Sequence, residues 1–352
     1  MLTIAFTGGG TGGHIYPALA IIERLRTIVA EPLRVFWIGN RAGMDASIVK
    51  AAGIGFYGIH CGKLRREINF RNFIDVFKVI AGYIEARKIL KKESPSLLFS
   101  KGGFVSVPPC AAASGLKIPV WTHESDYSPG LATKINARFA ERIFTAYKET
   151  AMFFAQSFKD KIVVTGNPVR PEFRHASAKR NAKKPALLVL GGSLGAKQLN
   201  ELVRDNLAEL TKLFSVIHQT GAQKWDRPNS ENYHAIPYIN AEMPQTIAAA
   251  DIVLCRAGAG TLWECATVGR PMVLLPLQGS GTRGDQVENA RKLEKAGAAI
   301  VLAPDGGNLL SVLIDLVNDI DKLEQMTDAA KEFARADAAE TIAEEIKGKI
   351  CQ

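Results

Sequence analysis

No stretch of about 18 or more residues is both apolar and free of charge, so nothing here could span a bilayer as a helix. The chain also lacks the start of a secreted protein. Met1 to Phe6 runs directly into a strand-like sequence, with neither a basic leader nor a small-residue cleavage site, and a cytoplasmic protein is the expectation. Cysteine is scarce: five residues (Cys61, Cys110, Cys255, Cys265, Cys351), odd in number and scattered without metal-ligand spacing. A disulfide framework and a thiolate metal centre are thereby excluded, and reduced thiols are expected. Aromatics make up 8%, and no recognised nucleic-acid module is present, which argues against a DNA or RNA partner.

What is present is ordinary globular composition, 47% hydrophobic and 22% charged, in 352 residues, long enough that two domains are the default. The net charge of +9 is uneven. Lys63 to Lys92 holds nine basic residues against three acidic ones, so +6 of the excess falls in one window. Strand-like runs alternate with helical patterns throughout, at Thr3 to Phe6, Arg34 to Ile38, Gly55 to Ile59, Leu97 to Ser100, Val120 to His123, Arg142 to Thr145 and Ile162 to Val164. That alternation reads as α/β with parallel sheets. Gly166 to Pro171 and the Lys- and Ala-rich stretch to Pro185 mark a junction. The pattern then restarts at Ala186 to Leu190, with a helix over Ala196 to Leu210 and strands at Ser215 to Gln219, His234 to Tyr238, Ile252 to Cys255, Met272 to Leu275 and Ala299 to Leu302. The reading is two doubly wound Rossmann-like domains facing across a cleft, 1–165 and 166–337. A last helix from about Asp315 is split, and its tail, 338–352, packs back on the first domain.

Each half opens with a strand that breaks into glycines. In the first, LTIAFTGGGTGGHIYPALA, Gly8, Gly10 and Gly13 satisfy a dinucleotide-binding spacing, a weak signal alone. That fingerprint wants an acid at the end of the second strand, which here runs into Gly39, Asn40 and Arg41. A loop suited to another phosphate ligand remains. The second half offers GGSLG at 191–195 and the sharper stretch Asp251 to Ala290, where Gly258 and Gly260 precede a helix. Thr261 to Glu264 matches a capping box; alternatively Glu264 accepts hydrogen bonds from ribose hydroxyls while the helix start holds a diphosphate. Asp285, Gln286 and Asn289 share a helical face and suit a polyhydroxyl ligand.

Taken together, TGGGTGGH, SKGGFVSVP at 100–108, THESDYSPGLATK at 122–134, GNPVR at 166–170, GGSLGA at 191–196 and the 251–290 stretch resemble the MurG family of inverting N-acetylglucosaminyltransferases. The motifs span nearly the whole chain in the family's order. The resemblance implies a GT-B fold, an N-terminal domain for the lipid-linked acceptor (lipid I), a C-terminal domain for UDP-N-acetylglucosamine, and no cofactor or metal. It assigns Thr11, Gly12 and Gly13 to the donor sugar and diphosphate, and Arg170 and Ser193 to the UDP portion. Ile239 would meet the uracil, Ala259, Gly260 and Thr261 the diphosphate, Glu264 the ribose, and Gln286 and Asn289 the sugar. Three positions depart from the pattern: Asp126 stands where asparagine is common, the loop after Gln278 lacks a histidine or aromatic, and Gly260 replaces a larger residue. A 2-epimerase, a diacylglycerol glycosyltransferase and a non-catalytic UDP-binding protein are the alternatives.

Single displacement at an anomeric carbon needs a base for the acceptor hydroxyl. His14 is the candidate, since a helix N-terminus favours the neutral imidazole; ordering of the loop is its other possible role. Glu124 is the competing carboxylate. For the basic window, Phe70, Phe73, Phe77, Ile80 and Ile84 recur at helical spacing near Leu64, Arg65, Arg66, Arg71 and Lys78. A segment of this kind can lie in a headgroup region at the cytoplasmic face of the cell membrane, or be the inner face of a helix covering a sheet.

Overall fold

The computed structural model describes residues 1–10, 12–42, 45–62, 70–178, 184–192, 195–222, 225–279 and 283–351, without the side chains of 70–74. By contact the chain divides into two compact units, Met1–Arg170 with Ala336–Gln352, and Pro171–Arg335. The first holds strands β1 (Leu2–Thr7), β2 (Leu33–Asn40), β3 (Gly55–Ile59), β4 (Leu97–Ser100), β5 (Val120–Glu124), β6 (Arg142–Thr145) and β7 (Ile162–Val164). They form one sheet in the order β3-β2-β1-β4-β5-β6-β7, parallel at every pairing. Its helices are α1 (Gly12–Ile28), α2 (Asp45–Ala51), α3 (Phe70–Glu93), α4 (Val107–Gly115) and α5 (Leu131–Asn136).

Parallel strands buried on both faces read as continuous apolar runs, and alternate residues feed opposite layers. In β1, Ile4 and Phe6 enter one core with Trp37 and Phe99, while Ala5 enters the other with Ile38 and Leu98. Helix α1 seals the first layer through Ile15, Ala18, Ile21, Ile22 and Leu25, spaced for one helical face.

The second unit contains β8 (Ala186–Leu190), β9 (Ser215–Gln219), β10 (Tyr233–Ile236), β11 (Ile252–Cys255), β12 (Met272–Leu274) and β13 (Ala299–Val301), again all parallel, in the order β10-β9-β8-β11-β12-β13. Its helices are α6 (Pro171–Arg174), α7 (Lys197–Asp205), α8 (Leu207–Leu213), α9 (Met243–Ala249), α10 (Ala259–Val268), α11 (Asp285–Lys295), α12 (Leu309–Asn318) and α13 (Ile320–Phe333). The single helix read over Ala196 to Leu210 is two. Asn206 leaves helical geometry at φ −106° and ψ 7°, and its side-chain amide donates to Leu202 O at 2.8 Å, so the helix ends there and α8 restarts. The terminal region starts earlier than Asp315, at Leu309 behind Asn308, whose Oδ1 accepts the Ala303 N–H at 3.0 Å.

The last helix, α14 (Ala338–Ile350), belongs to the first unit. Asp337 caps it by accepting the Glu340 N–H at 3.1 Å. Ile342, Ile346 and Ile350 then enter the α1 core layer one turn apart, and Arg24 of α1 makes a two-pronged ion pair with Glu340. At about 1.5–3 kcal/mol for each fully buried isoleucine, the apolar face outweighs the partly exposed ion pair in holding this helix down. A charge at Ile346 would undo it.

Candidate active site

Doubly wound sheets bind ligands at the carboxyl ends of strands where the order reverses, here beside β1 and β4 in the first unit. The loop after β1 is held from outside by its neighbours. Buried Asp45, at the start of α2, accepts the Gly10 N–H and the Asn40 N–H, each at 3.1 Å, and Trp37 Nε1–H donates to Gly8 O at 3.1 Å. A Cβ on Gly9 would collide with the Asp45 carboxylate, and one on Gly103 would stand 2.5 Å from Gly9 O. Both positions require glycine for close approach as well as for positive φ. The Gly10 amide thus serves the loop's own structure.

His14 lies in the first turn of α1, half-buried, with Nδ1 3.1 Å from the carbonyl oxygen of Lys101. A carbonyl only accepts, so Nδ1 carries the hydrogen and the lone pair of the neutral ring is on Nε2. Gly12 and Gly13 precede it. Tyr16, one turn on, packs against Gly12, and the Arg170 guanidinium sits 5.3 Å over the Tyr16 ring. Arg170 and His14 are therefore both tied to the start of α1. Glu124 ends β5 and is buried; its Oε1 accepts the Asp126 N–H and its Oε2 the Gly130 N–H, both at 3.0 Å. Its carboxylate orders the loop that contains Asp126.

In the second unit, β11 leads through Gly258 into α10, so Ala259, Gly260 and Thr261 form the first helical turn. The capping-box reading of Thr261 and Glu264 does not hold: the cap is Gly258, without a side-chain bond, and Glu264 lies half-buried in the second turn. Cβ atoms on Gly258 and Gly260 would meet nothing within 4 Å, so space is open at this helix start. Such a terminus presents backbone N–H groups and the positive end of the helix dipole. Buried Asn289 of α11 donates to Ala257 O at 3.2 Å, bracing the loop in front of α10, while Gln286 Oε1 accepts the Leu277 N–H at 3.0 Å. Gln219, at the end of β9, donates to Gly192 O at 3.2 Å and accepts the Ile239 N–H at 2.9 Å.

Of the sequence candidates, Gly12, Gly13, His14, Glu124 and Arg170 gather at the first sheet's carboxyl edge. Ala259, Gly260, Thr261, Glu264, Gln286, Asn289 and Ile239 belong to the second unit. Thr11, Ser193, Leu64 and Arg66 lie outside the described residues, as do the side chains of Phe70, Arg71 and Phe73. Further along α3, Phe77 is 63% exposed, Ile80 50% and Ile84 48%, with Lys78 beside them, whereas Ala86 and Leu90 enter the core. The exposed apolar stripe is therefore not the inner face of the helix. Sequence reasoning passed over Asp45, Lys101 and Asn167, each of which organises a loop through side-chain bonds to distant segments. Among the described residues no cluster of three or more His, Cys, Asp or Glu side chains could hold a metal, and no helix is long and apolar enough to cross a membrane.

Comparison with known proteins places the chain among sugar-nucleotide enzymes. Residues 4–145 match the glycosyltransferase family 28 N-terminal domain and residues 186–342 its C-terminal domain. A Treponema denticola protein named UDP-N-acetylglucosamine–N-acetylmuramyl-(pentapeptide) pyrophosphoryl-undecaprenol N-acetylglucosamine transferase is 44% identical, covering 96% of this chain and 94% of its own. A Treponema pallidum protein of the same name is 45% identical over 98% of this chain and 94% of its own. The crystal structure of Acinetobacter baumannii MurG superposes with TM-score 0.74 at 28% identity, covering 99% of this chain and all of that one. A UDP-N-acetylglucosamine 2-epimerase also superposes, with TM-score 0.69 over 99% of this chain and 96% of its own, but at 16% identity it shares the fold alone.

Proposed function

The chain belongs to glycosyltransferase family 28, and from that premise we infer that it transfers N-acetylglucosamine from UDP-N-acetylglucosamine to the muramyl 4-hydroxyl of undecaprenyl-pyrophosphoryl-N-acetylmuramyl-pentapeptide. The observation that carries this reading is near-full-length similarity to relatives named for that reaction. Identity of 16% to an epimerase gives no comparable support to the alternative.

In the proposed mechanism the acceptor hydroxyl gives its proton to His14 Nε2 as its oxygen bonds to the anomeric carbon. The bond to the diphosphate breaks with its electron pair going to UDP, and configuration inverts. His14 is taken as the base because the Lys101 carbonyl fixes the hydrogen on Nδ1 and makes Nε2 the accepting atom, whereas the Glu124 carboxylate orders its own loop through the Asp126 and Gly130 amides. The open start of α10 takes the diphosphate, Glu264 the ribose, and Gln286 with Asn289 the sugar hydroxyls. Thr11, Ser193 and Arg170 complete the donor contacts; uracil meets the Ile239 carbonyl, its N–H being engaged by Gln219. The stripe Phe77, Ile80 and Ile84, flanked by Lys78 and the basic residues of 63–92, docks the enzyme on the cytoplasmic face of the membrane, where its lipid-linked acceptor resides.

The test is incubation with labelled UDP-N-acetylglucosamine and a short-chain lipid acceptor. Label in the disaccharide product is expected; epimerised or untouched donor would overturn the reading.

A further inference from the structure

Lysine is among the residues least often fully buried, and an isolated ammonium inside a protein carries a large desolvation cost. Lys101 follows β4 in the first unit and is only 1% exposed. Its Nζ reaches three acceptors in two segments. It donates to His123 Nδ1 at 2.8 Å, makes a short hydrogen bond to Ser125 Oγ, and lies 3.5 Å from Asn167 Oδ1. The acceptors are themselves fixed. His123 Nε2–H donates to Gly166 O at 2.9 Å, which leaves Nδ1 as the acceptor, and the Ser125 hydroxyl donates to Asn167 Oδ1 at 2.6 Å. The backbone of the same lysine supplies the carbonyl that sets the His14 tautomer.

We propose that Lys101 is a positioning residue for the transfer, its ammonium locking the end of β5 and the segment after β7 onto the loop whose carbonyl orients His14. This rests on the transferase reading of the site. Because Ser125 adjoins Glu124, which orders its loop, and Asn167 lies three residues before Arg170, one buried charge ties that loop and the approach to Arg170 to the carbonyl that orients His14. An apolar side chain would fill the space yet leave His123, Ser125 and Asn167 without their common donor.

The lock is sensitive to pH. Burial pulls the Lys101 ammonium down to about 8, against the opposing pull of Glu124 and Asp126. Burial and Lys101 together hold His123 well below the usual histidine range, so His123 remains neutral wherever Lys101 titrates. Among the described residues, the charged groups that act on the Lys101 ammonium are Glu124 and Asp126, while His14 bonds its carbonyl. Loss of the lysine proton above about pH 8 removes one of the hydrogens the three acceptors share, and the loops loosen. The sign separates this group from His14, which as a base must be deprotonated and so limits the rate on the acid side.

The experiment is kcat against pH from about 6 to 9.5 for the unmodified enzyme and Lys101→Met, with thermal unfolding of both at pH 7. The unmodified enzyme is expected to show an alkaline fall with an apparent pKa near 8, separate from any acid limb. The variant is expected to fold but to lose some resistance to heat, since three buried acceptors lose their common donor, while kcat falls about tenfold to a hundredfold, the scale of a small misplacement of reacting groups. Its profile should lack the alkaline fall. A rate flat to pH 9.5 in the unmodified enzyme, or a variant with unaltered kcat, would overturn the proposal. Should the variant not fold, the unmodified profile decides. Loss of the acid limb alone would count against His14 as the base and leave Lys101 standing.

Discussion

Replacing Phe77, Ile80 and Ile84 together by serine removes the exposed apolar stripe of α3 while leaving Ala86 and Leu90 in the core beneath. Full burial of a Phe or Ile side chain stabilises by about 1.5–3 kcal/mol. Scaling by exposures of 63%, 50% and 48%, transfer of the stripe into lipid yields about 2.5–5 kcal/mol, roughly 60-fold to several thousandfold in partitioning. Shallow entry among headgroups realises the lower part of that range. The assay is cosedimentation with vesicles containing anionic phospholipid, alongside circular dichroism and turnover of a water-soluble acceptor. The triple variant should keep its fold and its turnover and lose at least about 30-fold in vesicle binding. Binding within twofold of the unmodified enzyme would refute the docking role of this face.

Glu264→Ala should raise the donor KM about tenfold to a hundredfold, the worth of hydrogen bonds to a charged acceptor, with kcat at saturating donor little changed; unchanged KM would remove Glu264 from the ribose. In the second unit His218 is held between Tyr233 and Asn200, and burial lowers it from 6.5 to about 4. It is neutral in the fold, so the unfolded chain binds more protons between those values, and stability present above pH 6.5 is lost as pH falls toward 4. About 2 kcal/mol should disappear by pH 5. Urea unfolding at pH 7 and pH 5 measures this, and His218→Gln should flatten the difference.

The alternation of elements was open to reading because parallel strands here are short apolar runs bounded by glycine and polar residues, and Leu97–Ser100, Arg142–Thr145 and Ile252–Cys255 end where their sequences break. Asn206 is a helix former weak enough to be overlooked in an otherwise periodic stretch, and only its bond to Leu202 O shows the break. Local sequence likewise presents Gly8 to Gly10 as a loop of free amides. Asp45, 35 residues from Gly10, claims one of them through tertiary folding. The role of Lys101 is hidden for the same reason: its acceptors come from three other positions, 22, 24 and 66 residues away. On α3, periodicity defines a stripe but not whether a sheet covers it, and packing of Ala86 and Leu90 supplies that answer.

The central claim is that His14 Nε2 takes the acceptor proton during sugar transfer. Single-turnover transfer by His14→Ala, with both substrates saturating near pH 7.5, tests it most directly. The expected result is a rate lower by about 10²–10⁴-fold with donor affinity retained. A folded variant that transfers the sugar within about threefold of the unmodified rate would contradict it.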